Sequence, residues 1–267
     1  MIDTTFDFRS DSKGRDPDSA SPTLRRYHQL LWSKPLSDGR PFDLEIDSRK
    51  GYLYHKSEVG EFVLTSDSVL PTFNRHKSYA HIIDQIPQAD RDWFDYITYT
   101  IGGMMIFPGN KIDGRMTING ARGCNQRIAD RFDLTVECIR RYYRGESSPL
   151  YDDLARYRHF FYLFKGFKGY VDFFLLQDLV SPTYTEVQFF PPGGDFDVPP
   201  RPATVEAYVS FREHTVAFVE SRNARINAQF AQACRGEQPS RVVLRSPSIS
   251  KTPIGTVKAT GTFADKL

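Results

Sequence analysis

Two stretches of this sequence carry side chains able to hold and transform an anionic ligand. The first is SPTLRRYHQLLW, Ser21 to Trp32. Arg25 and Arg26 stand where a helix would open, and positive charge opposes the helix dipole there. A bound anion or an acidic partner relieves that conflict, and Asp16 and Asp18 are the acids nearest in sequence. His28 follows within a turn, and imidazole exchanges protons near neutral pH. The second stretch is TINGARGCNQRIAD, Thr117 to Asp130. Gly120 and Gly123 let the backbone turn sharply and approach a ligand closely. A helix N-terminus after such a turn favours anions. Arg122 offers a bidentate contact to phosphate or carboxylate. On this reading Arg26 belongs to the ligand site, Arg122 and Arg25 hold phosphate, Asn119 and Asn125 orient a base or ribose, and His28 or Asp130 handles a proton. The competing reading pairs Arg122 with Asp130 or Asp133, because structural ion pairs are common in such clusters.

The elements that must position these residues read as a single α+β domain over residues 1–235. It is a mainly antiparallel sheet of about five strands packed by helices. A central strand is predicted from Tyr99 to Phe107, apolar on both faces. Turn chemistry follows at Pro108-Gly109-Asn110 and Asp113-Gly114, then a return strand from Arg115 to Asn119. Ile128, Phe132, Val136, Ile139 and Tyr143 recur at helical spacing, with a break near Asp133. Ser21 reads as an N-cap and Pro22 as the first helical residue, with Leu24, His28, Leu31 and Trp32 on one face. Phe42 to Ile46 alternates as a strand, and residues 51–55 and 61–65 form a hairpin about Val59-Gly60. Ser66-Asp67-Ser68 reads as a cap or loop, or places a nucleophile or acid at a sheet edge. A short helix is expected at Tyr79 to Gln85. Another follows Ser148-Pro149, a buried one covers Tyr170 to Val180, and a long one covers Thr204 to Arg235. Glu186 to Phe190 is expected as a short strand. Residues 236–267 read as a flexible basic tail rich in Ser, Thr and Pro, available to a protein partner.

Several chemistries find no support. The P-loop and G-x-G-x-x-G spacings are absent around Gly120, as are G-x-S-x-G and H-E-x-x-H elsewhere. The six histidines and three cysteines are scattered, so no metal site is expected. Cys124, beside the glycines, is a candidate nucleophile, but a free cysteine more often serves as a small apolar residue. Arg75 and His81 match a short R-x(5)-H spacing seen in some helical ribonucleases, a pattern that arises readily by chance. Arg156 to Phe161 alternates basic and aromatic residues, as single-stranded nucleic-acid binders do, although a helix would turn some of them into the core. A net charge of +2 neither demands nor excludes a nucleic-acid partner. The opening residues are polar and acidic, no apolar run reaches membrane-spanning length, and no cysteines pair as C-x-x-C. A cytoplasmic location with no membrane partner is therefore expected.

SPTLRRYHQLLWSKPL, IGGMMIFPGNKIDGRMTINGARG followed by DRFDLTVECIRRYY, and GYVDFFLLQDLV with FVESRNARI together resemble a bacterial domain of unknown function. The resemblance spans most of residues 6–227 and implies no activity and no catalytic residues. The functional expectation therefore rests on the residues themselves. It is an enzyme acting on a nucleotide or nucleic acid, serving as a toxin or phage-defence effector. It would be either ADP-ribosyltransferase-like with NAD, by analogy with compact α+β toxins, or a ribonuclease acting on RNA. The alternative is a non-catalytic binding or antitoxin-like interaction protein.

Overall fold

The computed structural model describes residues 2–47, 52–74 and 76–236. The expected C-terminal tail and Arg75 of the R-x(5)-H pair lie outside the described residues. Helix α1 (Pro17–Ala20) is followed at once by α2 (Pro22–Trp32), where the Ser21 side chain accepts from the Leu24 N–H at 3.1 Å. That is the expected cap, with Pro22 at the first helical position. Short strands β1 (Lys34–Pro35) and β2 (Pro41–Phe42) form a two-stranded ribbon. The main sheet has four antiparallel strands in chain order: β3 (Glu45–Ile46), β4 (Leu53–Ser57), β5 (Gly60–Ser68) and β6 (Met104–Pro108). The hairpin about Val59-Gly60 joins β4 to β5 with His55 opposite Phe62.

Helices fill the rest. They are α3 (Ala80–Ile83), α4 (Gln88–Thr98), α5 (Ile118–Cys124), α6 (Phe132–Arg144), α7 (Tyr151–Arg156), α8 (Arg158–Tyr162), α9 (Phe167–Phe174) and α10 (Val205–Gly236). The α+β class stands, with four strands in one sheet and two in another. Five local expectations are corrected. The central strand is shorter than Tyr99 to Phe107, because Tyr99 is the C-cap of α4 and a 3₁₀ turn at Ile101–Gly103 takes up the residues before Met104. Arg115 to Asn119 is no strand: Thr117 caps α5 by accepting from the Gly120 N–H at 3.3 Å, and Asn119, Gly120 and Gly123 are helical. Ser66 to Ser68 is no cap but the end of β5, paired with β6. Glu186 to Phe190 contributes only a bridge between Val187 and Val180. The helix expected at Tyr170 to Val180 ends as α9 at Leu175, which takes a left-handed conformation (φ 57°).

The core is aromatic. Trp32, Phe42, Phe164, Phe173 and Phe174 interlock with ring centroids 5.1–5.2 Å apart in tilted and edge-on pairs. Helix α10 buries Tyr208, Phe211, Thr215, Phe218, Arg222 and Ile226 at intervals of three and four. Arg222 is fully buried. It donates to the carbonyls of Gly102, Met104 and Phe174 at 2.9, 2.8 and 3.0 Å, and its guanidinium lies 5.8 Å from the Trp32 ring centroid. Asn223 beside it accepts from the Gly102 N–H at 2.8 Å. A Cβ on Gly102 would lie 2.6 Å from the Val219 carbonyl, so only glycine lets α10 approach this closely.

Candidate functional site

Arg122, on α5, is fully buried. A guanidinium has five N–H donors; here four hydrogen bonds are made among the described residues, and Nη1 also stands in an ion pair with a second carboxylate. Nε donates to Thr135 Oγ1 at 3.2 Å, and Nη2 donates to the carbonyls of Val69 and Asp130 at 2.9 and 2.7 Å. Nη1 meets the Asp67 carboxylate and Asp130 Oδ1, the latter at 3.0 Å. No donor remains for a phosphate. The expectation that Arg122 grips an anionic ligand is therefore corrected: carboxylates and carbonyls of its own chain satisfy it, as a buried cation requires.

Asp67 reaches Arg122 from β5, where it sits opposite Met105 of β6. Asp130 arrives from a turn in which Ala129 and Asp130 both have positive φ, 46° and 65°. Neither is glycine, so this conformation costs about 1–3 kcal/mol per residue. The Asp130 N–H donates to the Arg122 carbonyl at 3.1 Å, so Arg122 holds the strained turn through backbone and side chain together. Asp18 comes from α1. Its Oδ2 accepts from the Ser68 N–H at 3.1 Å, while its buried Oδ1 has no hydrogen-bond partner among the described residues.

Asp18, Asp67 and Asp130 line a hollow of about 280 Å³ together with Asp95, His76 and Ser68. Burial pushes Asp67 up to about 7; Arg122 opposes this, while Asp130 and Asp18 reinforce it. Burial likewise raises Asp18 to about 6 against the pull of the Ser68 N–H. Asp130 is raised by burial too, with Arg122 and His76 acting the other way. Crowding and burial thus let Asp67 and Asp18 retain protons close to neutral pH. Carboxyl groups tuned this way serve general acid–base chemistry.

A second hollow, of about 260 Å³, shares Asp18 as a wall and is lined by Arg25, Asn119, Ser66 and Tyr52. Arg25 donates to the Ser19 carbonyl at 2.8 Å and forms no ion pair among the described residues. Asn119 Oδ1 is buried there without a hydrogen-bond partner, an acceptor in want of a donor. Arg25 and Asn119, far apart in sequence, are thus brought together, with Asp130 next door. The other expected residues are not. Arg26 is exposed. Asn125 accepts from the Arg127 N–H at 2.9 Å and donates to the Pro149 carbonyl at 3.3 Å, which fixes its own turn. Asp133 pairs with buried Arg131, not with Arg122. Cys124 is exposed and lines neither hollow.

His28 is corrected as a proton carrier. It is fully buried, and its Nδ1 accepts from the Trp32 indole N–H at 3.0 Å. In a neutral ring the proton then sits on Nε2, which donates to Ser66 Oγ at 2.8 Å. A histidine that donates to a serine cannot take that serine's proton, so the pair is no catalytic dyad. Burial, aided by Arg222, lowers His28 to about 3 and keeps it uncharged.

Of the residues lining the first hollow, Asp95 is not singled out in the sequence, Asp18 is read only as an acid near Arg25 and Arg26, and Asp67 only as an acid at a sheet edge. The signal for Asp67 was a carboxylate continuing a run that is otherwise strand. Among the described residues, no group of three or more His, Cys, Asp or Glu is placed to hold a metal ion, and no helix is long and apolar enough to cross a membrane.

No curated protein and no solved structure matches this chain. A family model does match, and it takes in α1, β5, α5 and every residue lining the two hollows. The chain belongs to the family of unknown function (DUF6994), whose model matches residues 2–226.

Proposed function

We propose that the chain is an enzyme acting on a nucleotide, and that it cleaves or transfers at the bond between ribose and base. The observation that carries this is the pairing of hollows: Asp18, Asp67 and Asp130 line one, and Arg25 and Asn119 line the other, across Asp18. Breaking a ribosyl bond builds positive charge on the sugar, as in other glycosyl transfers, and carboxylates stabilise it. Phosphodiester cleavage concentrates negative charge at phosphorus, which the same carboxylates would oppose. Of the two nucleotide reactions expected from the sequence, ribosyl chemistry on an NAD-like molecule is therefore the better supported.

In this reading Arg25 holds a phosphate and Asn119 Oδ1 accepts from a ribose hydroxyl or a base amine. As the C1′–N bond breaks, its electron pair leaves with the base. Water adds to C1′ and gives its proton to a carboxylate of the Asp18–Asp67 pair. Asp130, facing Arg122, stabilises the cationic sugar. Loss of a nucleotide pool would arrest growth, which is how a toxin or defence role would follow.

The test is chromatography of free base after incubating the purified chain with NAD and with nucleoside monophosphates. Release is expected, reduced about 100-fold or more in Asp67→Asn, with a raised KM in Arg25→Ala. Absence of free base from every substrate between pH 6 and 8 would overturn the reading. A non-catalytic binding role is the second reading, supported by the complete internal pairing of Arg122. A nucleotide that raises the Tm but is never cleaved would favour it.

A further inference from the structure

A larger groove, about 680 Å³, opens at the other end of β5. Its rim includes Val59, eight residues before Asp67, which at about 3.3 Å per residue puts the two sites about 25 Å apart. Tyr142, Tyr151 and Tyr162 line it with Arg158, His159 and Lys165, and no carboxylate among the described residues lines it. The basic–aromatic alternation of α8 resolves here into two sets. Phe160 and Phe161 turn into the core, whereas Tyr162 is 57% exposed. Tyr142 and Tyr151 stand with ring centroids 6.0 Å apart, and Lys165 Nζ lies 4.4 Å from the Tyr162 ring centroid. Lys165 also reaches Asp38 at 3.4 Å. Arg158 and His159 are exposed and form no ion pair among the described residues.

We infer that this groove binds single-stranded nucleic acid, with Tyr162 and Tyr142 stacking on bases and Arg158, His159 and Lys165 meeting phosphates. Every base offers a flat face to an aromatic ring, so such a surface needs no particular sequence. Cations beside the rings supply the complement to the backbone charge. The groove is concave and its rings carry phenol hydroxyls. That suits a strand threaded through it better than a lipid surface, which would call for a protruding apolar face. This inference stands apart from the ribosyl reaction proposed above, because it uses none of the residues of the two hollows.

The experiment is fluorescence anisotropy of a labelled 12-nucleotide oligouridylate with the full chain, between 50 and 300 mM KCl. Saturable binding is expected, with a log–log salt slope of about −1.4 for the two phosphates that Arg158 and Lys165 neutralise. Tyr162→Ala should weaken binding about tenfold or more without changing that slope. Arg158→Ala should flatten the slope by about 0.7. Both side chains are exposed, so an unchanged Tm shows that the variants remain folded. No binding at 50 mM KCl, unaltered binding by Tyr162→Ala, equal binding to a duplex, or capture by phosphatidylserine vesicles in preference to the oligonucleotide would each overturn the inference.

Discussion

Replacing Arg122 with methionine keeps the length of the side chain and removes the charge and all five donors. At pH 8 the variant leaves the largely buried Asp67 and the half-exposed Asp130 without their shared cation; breaking a buried pair costs about 3–5 kcal/mol, and Asp67 carries most of it because water screens Asp130. At pH 5 the cost is smaller. Asp67, raised to about 7, is already protonated there, so what remains is chiefly the unpaired carbonyls of Val69 and Asp130, about 1–3 kcal/mol. The sign follows from linkage. A carboxyl raised on folding contributes stability that is fully present below its unfolded value near 3.8 and is lost as pH rises through about 7. Loss of Arg122 raises Asp67 further and so extends that decline to higher pH. At about 2–4 °C per kcal/mol for a domain of this size, Tm should fall by about 10 °C at pH 8 and about half that at pH 5. Thermal unfolding followed by near-UV circular dichroism at the two pH values reads the difference. An equal fall at both would refute the electrostatic reasoning, and no fall at either would refute the burial of Arg122.

Other perturbations give equally definite outcomes. The imidazole of His28 should stay neutral with its proton on Nε2 down to about pH 4, since burial lowers it to about 3. Its contribution to stability is full above about 6.5 and declines below, and ring nitrogen NMR shifts titrating near 6.5 would contradict this. Gly102→Ala drives a Cβ to 2.6 Å from the Val219 carbonyl and should cost about 1–3 kcal/mol in urea unfolding; a variant as stable as the parent would show that α10 packs less closely. Ser21→Ala deletes the α2 cap and should cost about 1 kcal/mol by the same measurement.

The long-range periodicities were legible without coordinates. Helix α10 announces itself through Val205, Tyr208, Val219 and Ile226, and α2 through its Ser-Pro start, because both signals are local and repeat over many turns. The hairpin about Val59-Gly60 was legible for the same reason. Arg115 to Asn119 was misread because five residues cannot distinguish a strand from a helix entry, and the deciding contact is a single Thr117 cap. Of the expected site residues, the structure brings Arg25 and Asn119 to one hollow. Arg25 and Asn119 could be nominated as residues that suit a ligand. That Arg122 would be consumed by Asp67, 55 positions earlier, depends on strand β5 running on to Ser68, and nothing in the local pattern carries that distance. His28 misled because an imidazole's chemistry depends on its two neighbours, and those were Trp32 and Ser66, not water.

Arg222 has a consequence for how the protein is made. Three carbonyls from two segments, Gly102 and Met104 in one and Phe174 in the other, wait on a single positive group carried near the end of the matched region. A nascent chain cannot satisfy those carbonyls in this way before Arg222 has left the ribosome, so this part of the interior closes late, after residue 222 has emerged. Chaperone contact, if the chain needs any, would be concentrated before that point.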